Sequence, residues 1–156
     1  MLLNKKNLQA EWATFLSHYP WQWFCTLTFA ESPHPEAAFK TFRYFVNRLN
    51  RNLYGSRAQR NGHSVHWCLA LEYHKSGVIH FHALIGDNED INGRLSRIRA
   101  SEIWREIAGF PWIVPIDDEL LMVTNYVSKY IAKGGEIELS GNLSDFKLQY
   151  SGLPIN

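Results

Sequence analysis

The chain has 156 residues, 46% apolar, 14% aromatic and 20% charged, with a formal net charge of +1. This suits a single soluble globular domain, 1–156, with a real core, and leaves no room for a nucleotide-driven motor beside it. No apolar stretch reaches the ~20 residues of a membrane span, and neither a phosphate-binding Gly-rich loop nor a secretory-signal pattern is present.

In chain order, residues 4–18 can form a helix with Leu8, Trp12, Phe15 and Leu16 on one face. After Pro20, the aromatic and β-branched run from Trp21 to Phe29 predicts a strand. Pro33 and Pro35 break it. Pro35 then suits the first turn of a helix whose apolar positions are Phe39, Phe42, Val46, Leu49 and Leu53. A polar, basic loop runs from Gly55 to Gly62. Two strands follow, His66–His74 and Val78–Ile85, and the three residues Lys75, Ser76 and Gly77 between them predict a β-hairpin. A second helix carries Leu95, Ile98, Ile103, Trp104 and Ile107 and ends at Gly109. Residues 111–116 read as a strand that Pro115 confines to a sheet edge. Asp117 and Asp118 suit the start of a third helix, stopped by Gly134 and Gly135, and the tail, 136–156, is weakly patterned. The order β-α-β-β-α-β-α predicts an α+β fold, an antiparallel sheet with helices packed on one face. Cys25 and Cys68 lie in apolar strand-like runs and read as buried, reduced thiols of a cytoplasmic protein.

The hairpin concentrates the chemistry. His80 and His82 are two apart, so on a strand their imidazoles leave the same face, while Ile79, Phe81, Ala83 and Ile85 face the core. A three-residue loop pairs His74 with Val78 and, counting back, sets Glu72 opposite His80. A four-residue loop would turn Glu72 to the wrong side. The register that buries the apolar residues is therefore the one that gathers Glu72, His80 and His82. Two imidazoles and one carboxylate suit a divalent cation with open positions, Mg2+ or Mn2+. The plain alternative is two half-solvated histidines beside an ordinary strand glutamate. His66 and His74 share this face as rim residues or substitute ligands, whereas His18 and His34 carry no signal.

Near the C-terminus, Tyr126, Lys129, Tyr130 and Lys133 fall on one helical stripe, with Val123, Val127 and Ile131 forming an apolar stripe beside it. A tyrosine hydroxyl can attack phosphorus when a cation lowers its basicity and lysines neutralise the phosphate. In isolation such a stripe is as readily a core edge with a solvated lysine face.

Taken together, the strand ending Thr26-Leu27-Thr28-Phe29, the Glu72…His80-Phe81-His82 hairpin and the tyrosine helix resemble, in that order, the three motifs of the HUH endonucleases. The nearest likeness is to rolling-circle replication initiators, over residues 21–135. The resemblance implies an RRM-like sheet, Mg2+ or Mn2+ held by Glu72, His80 and His82, and nicking and joining of single-stranded DNA through a 5′-phosphotyrosine. Tyr126 and Tyr130 match the two-tyrosine form, with Tyr126 the preferred first nucleophile, Lys129 its partner and Tyr130 serving a second transfer. The implied partners are single-stranded DNA at a replication origin and a separate helicase, with the protein a monomer or weak dimer and no membrane involved. A single-tyrosine HUH transposase and a non-catalytic single-strand-binding module are the competing readings.

Between Glu36 and Glu72 no acidic residue occurs, while Lys40, Arg43, Arg48, Arg51, Arg57 and Arg60 do. This basic stretch predicts a phosphate-tracking surface, joined by Lys133, that the near-neutral total charge conceals. Trp21, Trp23, Tyr73 and Trp112 are candidates for stacking on unpaired bases or for the core.

Overall fold

The structure, a computed structural model, describes residues 5–57, 62–116, 128–129 and 136–143. The elements are α1 (Lys5–Ser17), β1 (Trp23–Phe29), α2 (Pro35–Tyr54), β2 (His66–Tyr73), β3 (Ile79–Gly86), a 3-10 turn (Ile91–Gly93), α3 (Arg97–Ile107), β4 (Gly109–Pro115) and β5 (Ile137–Leu139). Local chemistry explains their ends. α2 begins with Pro35, which lacks the amide hydrogen a first turn leaves unused, and His34 caps it by accepting from the Glu36 amide at 3.4 Å. It closes at Gly55, whose φ of 85° favours glycine. His34, which carried no signal in the sequence, is thus a helix cap. α3 starts on Ser96, whose hydroxyl accepts from the Arg99 amide.

Among the described residues the strands form one antiparallel sheet in the order β4-β1-β3-β2-β5. The first four strands follow the RRM-like order, with β1 and β3 central and the proline-containing β4 at an edge. β5 falls in the tail that the sequence left without an element. It is only three residues long, and it is held by pairing with β2 through Cys68, Leu69 and Ala70 rather than by a pattern of its own.

Alternation splits the sheet into two faces. On one, Trp23, Cys25, Leu27, Phe29, Leu69, Leu71, Phe81 and Ala83 are buried with Phe42, Phe45 and Leu49 of α2 and Ile103 and Trp104 of α3. Aromatic rings pack edge to face there, Phe42 on Phe81 at 5.8 Å and Phe29 on Trp104 at 5.2 Å. On the other face a smaller cluster joins Leu16 of α1 to Tyr19, Trp21, Cys68, Ala70, Leu84 and Leu143. α2 and α3 therefore cover one face, and α1 covers one end of the other.

A knot of close contacts holds α1 in place. Trp21 Nε1 donates to the Leu16 carbonyl at 2.6 Å, and His66 Nε2 donates to the Pro20 carbonyl at 2.7 Å. Gly86 faces that same carbonyl so closely that a Cβ would lie 2.0 Å from it.

Two expectations along α3 change. Ile98 is exposed, because the stripe that meets the sheet is Ala100, Ile103, Trp104 and Ile107, and Ile98 points away from it. Gly109 does not end the helix, which Ala108 caps; it opens β4, where a Cβ would meet the Thr28 carbonyl at 2.2 Å. The cysteines are free and buried, Cys25 in one cluster and Cys68 in the other, and burial pushes the Cys68 thiol up to about 12. The helix predicted over 117–133 lies outside the described residues except for Ser128 and Lys129, which are helical.

Candidate metal centre

The hairpin closes as the three-residue loop requires. The His74 amide donates to the Val78 carbonyl at 2.9 Å, the Gly77 amide donates back to His74 at 2.8 Å, and Gly77 takes a φ of 83° that only glycine adopts without strain. The register places Glu72 opposite His80 and Ala70 opposite His82. Continued across β1 and β4, it sets two rows over the sheet. One is Phe110, Thr28, His80 and Glu72; the next is Trp112, Thr26, His82 and Ala70. A third row, Val114, Phe24, Leu84 and Cys68, runs toward the cluster beneath α1.

His80 Nε2 and His82 Nε2 both donate to Glu72 Oε2, at 2.9 Å and 2.7 Å. The imidazole rings stand edge to face with centroids 5.0 Å apart, and His82 lies parallel to the Phe24 ring at 6.2 Å. Side-chain exposure rises from 5% at His82 through 16% at His80 to 31% at Glu72, so the cluster is floored by the sheet and open outward. Burial disfavours the charged form of Glu72, but hydrogen bonds from the two histidines outweigh it and hold the carboxyl below its usual range. Burial pulls the His82 imidazole below its usual value despite the carboxylate beside it. An ionised carboxylate beside a neutral imidazole is the state in which both can donate lone pairs. Among the described residues, Glu72, His80 and His82 form the group whose ligand atoms all lie within 4.8 Å of one another, and such a group could hold a metal ion. With the ring protons on Nδ1, both Nε2 lone pairs would meet the carboxylate at one point.

The other candidates are scattered. His66 lies on the same face but is fully buried at its far end; burial pulls it down to about 4, so it is a neutral structural imidazole. His74 is exposed beside His80, ring centroids 6.1 Å apart, and its Nδ1 accepts from the Ser76 amide within the turn. Lys129 is exposed on its short helical stretch next to the buried Ser128. Tyr126, Tyr130, Lys133 and Arg60 lie outside the described residues.

The basic residues of α2 stand behind the opposite face of the sheet, since α2 packs against Phe81 and Leu71 rather than against His80 and His82. Arg43 pairs with Glu138 of β5 at 2.7 Å and Arg48 with Glu106 of α3 at 2.8 Å, while Lys40, Arg51 and Arg57 are exposed. The structure thus does not bring these cations together with the Glu72 cluster. Of the aromatic candidates, Trp21 and Trp23 are buried, Tyr73 is exposed on the α2 side, and Trp112 is exposed in the row of His82. Phe110, which the sequence did not single out, is exposed in the row of Glu72. Its signal was its position two residues before Trp112, legible only once β4 is known to pair with β1.

Among the described residues no helix is long and apolar enough to cross a membrane. No curated protein and no solved structure matches the chain. The resemblance to rolling-circle initiators fits the family comparison, whose match begins just before β1 and runs through the segment bearing Tyr126 and Tyr130. The chain belongs to the ORF2 family of replication-associated proteins, whose model matches residues 22–135.

Proposed function

We propose that this replication protein nicks and rejoins single-stranded DNA at a replication origin by tyrosine transesterification, initiating rolling-circle replication of a plasmid, phage or mobile element. The observation that carries the reading is the convergence of His80 Nε2 and His82 Nε2 on one Glu72 oxygen, on an open face of the sheet. Mg2+ or Mn2+ is the ion proposed for this donor set, and when bound it supplies Lewis-acid polarisation of the scissile phosphate. Glu72 and His82 hold fixed positions because the strand pairing sets their backbone and burial limits their rotamers.

In the proposed step, the Tyr126 hydroxyl oxygen bonds to phosphorus and the P–O3′ bond breaks. The tyrosine proton leaves, the departing 3′ oxygen takes up a proton, and a 5′-phosphotyrosine and a free 3′-OH result. One phosphoester replaces another, so the reverse attack by a 3′-OH rejoins strands without ATP. Lys129 neutralises charge at the phosphate beside Tyr126, and Lys133 does the same one turn on. Tyr130 performs a second transfer before the first adduct is resolved. Unwinding comes from a separate helicase, and the protein works in the cytoplasm as a monomer or weak dimer. The basic residues Lys40, Arg43, Arg48, Arg51, Arg57 and Arg60 contact DNA flanking the cleaved strand.

The test is covalent adduct formation with a library of origin-like single strands, read as a gel shift that survives SDS. An adduct that requires Mg2+ or Mn2+ and is lost in Tyr126→Phe is expected. If wild type yields no adduct with any strand, the chain is a binding module and the reading fails. If Tyr126→Phe and Tyr130→Phe each keep full adduct formation and only the double variant loses it, the two tyrosines are interchangeable.

A further inference from the structure

The rows that carry the metal ligands do not stop at them. Two strands over from His80 and His82, on edge strand β4, Phe110 and Trp112 project from the same face and are 66% and 69% exposed. Aromatic rings at such exposure are unusual on a chain that buries Trp21, Trp23, Trp67 and Trp104. Strand spacing puts them ~10 Å from the histidines, with only Thr26 and Thr28 between. Along β4 they are ~7 Å apart, about twice the rise of stacked bases, so each ring can take one splayed base.

Charge continues the path around the edge. Arg97 and Arg105 lie two turns apart on one side of α3 and line a cleft of about 540 Å3 with Ser101, Ile113 and Pro115 of the β4 border. Both arginines are exposed, and no carboxylate among the described residues pairs with either, whereas the neighbouring Arg99 is paired with Glu102 and Glu106.

We infer that Phe110 and Trp112 form a stacking platform for unpaired bases of single-stranded DNA flanking the scissile phosphate, with Arg97 and Arg105 holding the backbone as it leaves over the β4 edge. This rests on the nicking reading for its scissile phosphate, and it deepens that reading by naming where the flank lies. The occupant is single-stranded because a duplex keeps its base faces stacked and cannot offer them to a protein ring. Continuity with the metal rows and the unpaired cations favour a nucleic acid over an apolar partner.

The test is fluorescence anisotropy with a labelled random-sequence single-strand pool, on the full chain, beside the adduct assay. Phe110→Ala and Trp112→Ala are each expected to weaken binding at least ~5-fold, the loss of one base–aromatic stack, with unchanged circular dichroism. Combining Arg97→Gln with Arg105→Gln is expected to flatten the dependence of log affinity on log salt by about two phosphate contacts. Tyr44→Ala, which removes an exposed ring on α2, is expected to leave binding unchanged. Full single-strand affinity in the Phe110→Ala/Trp112→Ala variant overturns the platform, and an adduct formed by wild type in the same experiment leaves the nicking reading standing. Aromatic-dependent binding with no adduct from wild type keeps the platform and overturns nicking. Loss of a dimer in sedimentation, with DNA affinity intact, assigns the rings to a contact between copies and overturns the proposal.

Discussion

The two faces of the sheet are made from the same strands by the same alternation, yet they do different work. Behind α2 and α3 every inward residue of β1 is apolar and buried, and the chemistry is uniform along the strand. On the other face it changes every two residues, from Phe24 and Leu84 near α1, through Thr26 and His82, to Thr28, His80 and Glu72. One face holds the fold together and the other is free to carry polar groups because it does not have to. The two are locked by register: a slip of one residue would send Phe81 outward and His80 into the core.

Substitutions on neighbouring residues should separate the faces. Phe81→Ala, which empties the centre of the larger cluster, is expected to cost about 3–5 kcal/mol in urea unfolding while Mn2+ affinity of the folded fraction is kept. Equal loss of both would show that the faces are not independent.

His66 is the sharper case, because it lies on the functional face yet is enclosed by Trp21 and Pro20. Its folded value of about 4 lies below the ordinary 6.5, so between these values the unfolded chain binds the extra proton. Stability is therefore expected to fall as pH drops from 6.5 toward 4, by up to about 3 kcal/mol, and to be insensitive to this group above 6.5. Urea midpoints at pH 7 and pH 5 should converge in His66→Gln relative to wild type.

One residue from Phe81, His80→Ala is expected to weaken Mn2+ binding at least ~100-fold, measured by calorimetry, and to move the unfolding midpoint little. A large loss of stability in this variant would make the histidine a core element instead. The smallest effect is expected at Arg43→Gln, where an exposed pair with Glu138 is worth under ~1 kcal/mol and metal affinity should not change.

Where local rules govern, the sequence was a reliable guide. Proline position and a three-residue turn set α2 and the hairpin, and the turn length alone placed Glu72 against His80. Where the rule was local but the outcome was not, it misled. The acid-free stretch 37–71 reads as a continuous basic surface, but Arg43 and Arg48 meet Glu138 and Glu106 from distant parts of the chain, and α2 turns its charges away from the Glu72 cluster. Ile98 matched an apolar helical period and is exposed, since contact with the sheet chose a neighbouring stripe.

The antiparallel α+β order, the paired imidazoles and the carboxylate opposite them were determined by the sequence by itself, because side-chain periodicity and turn geometry act over a few residues. Only the tertiary structure decided which half of the second face stays open. α1 returns over Leu84 and Cys68, β5 adds to β2, and β4 lays Phe110 and Trp112 in line with the histidines. These are pairings between segments far apart in the chain, held by many weak contacts at once, and no short stretch of sequence contains them.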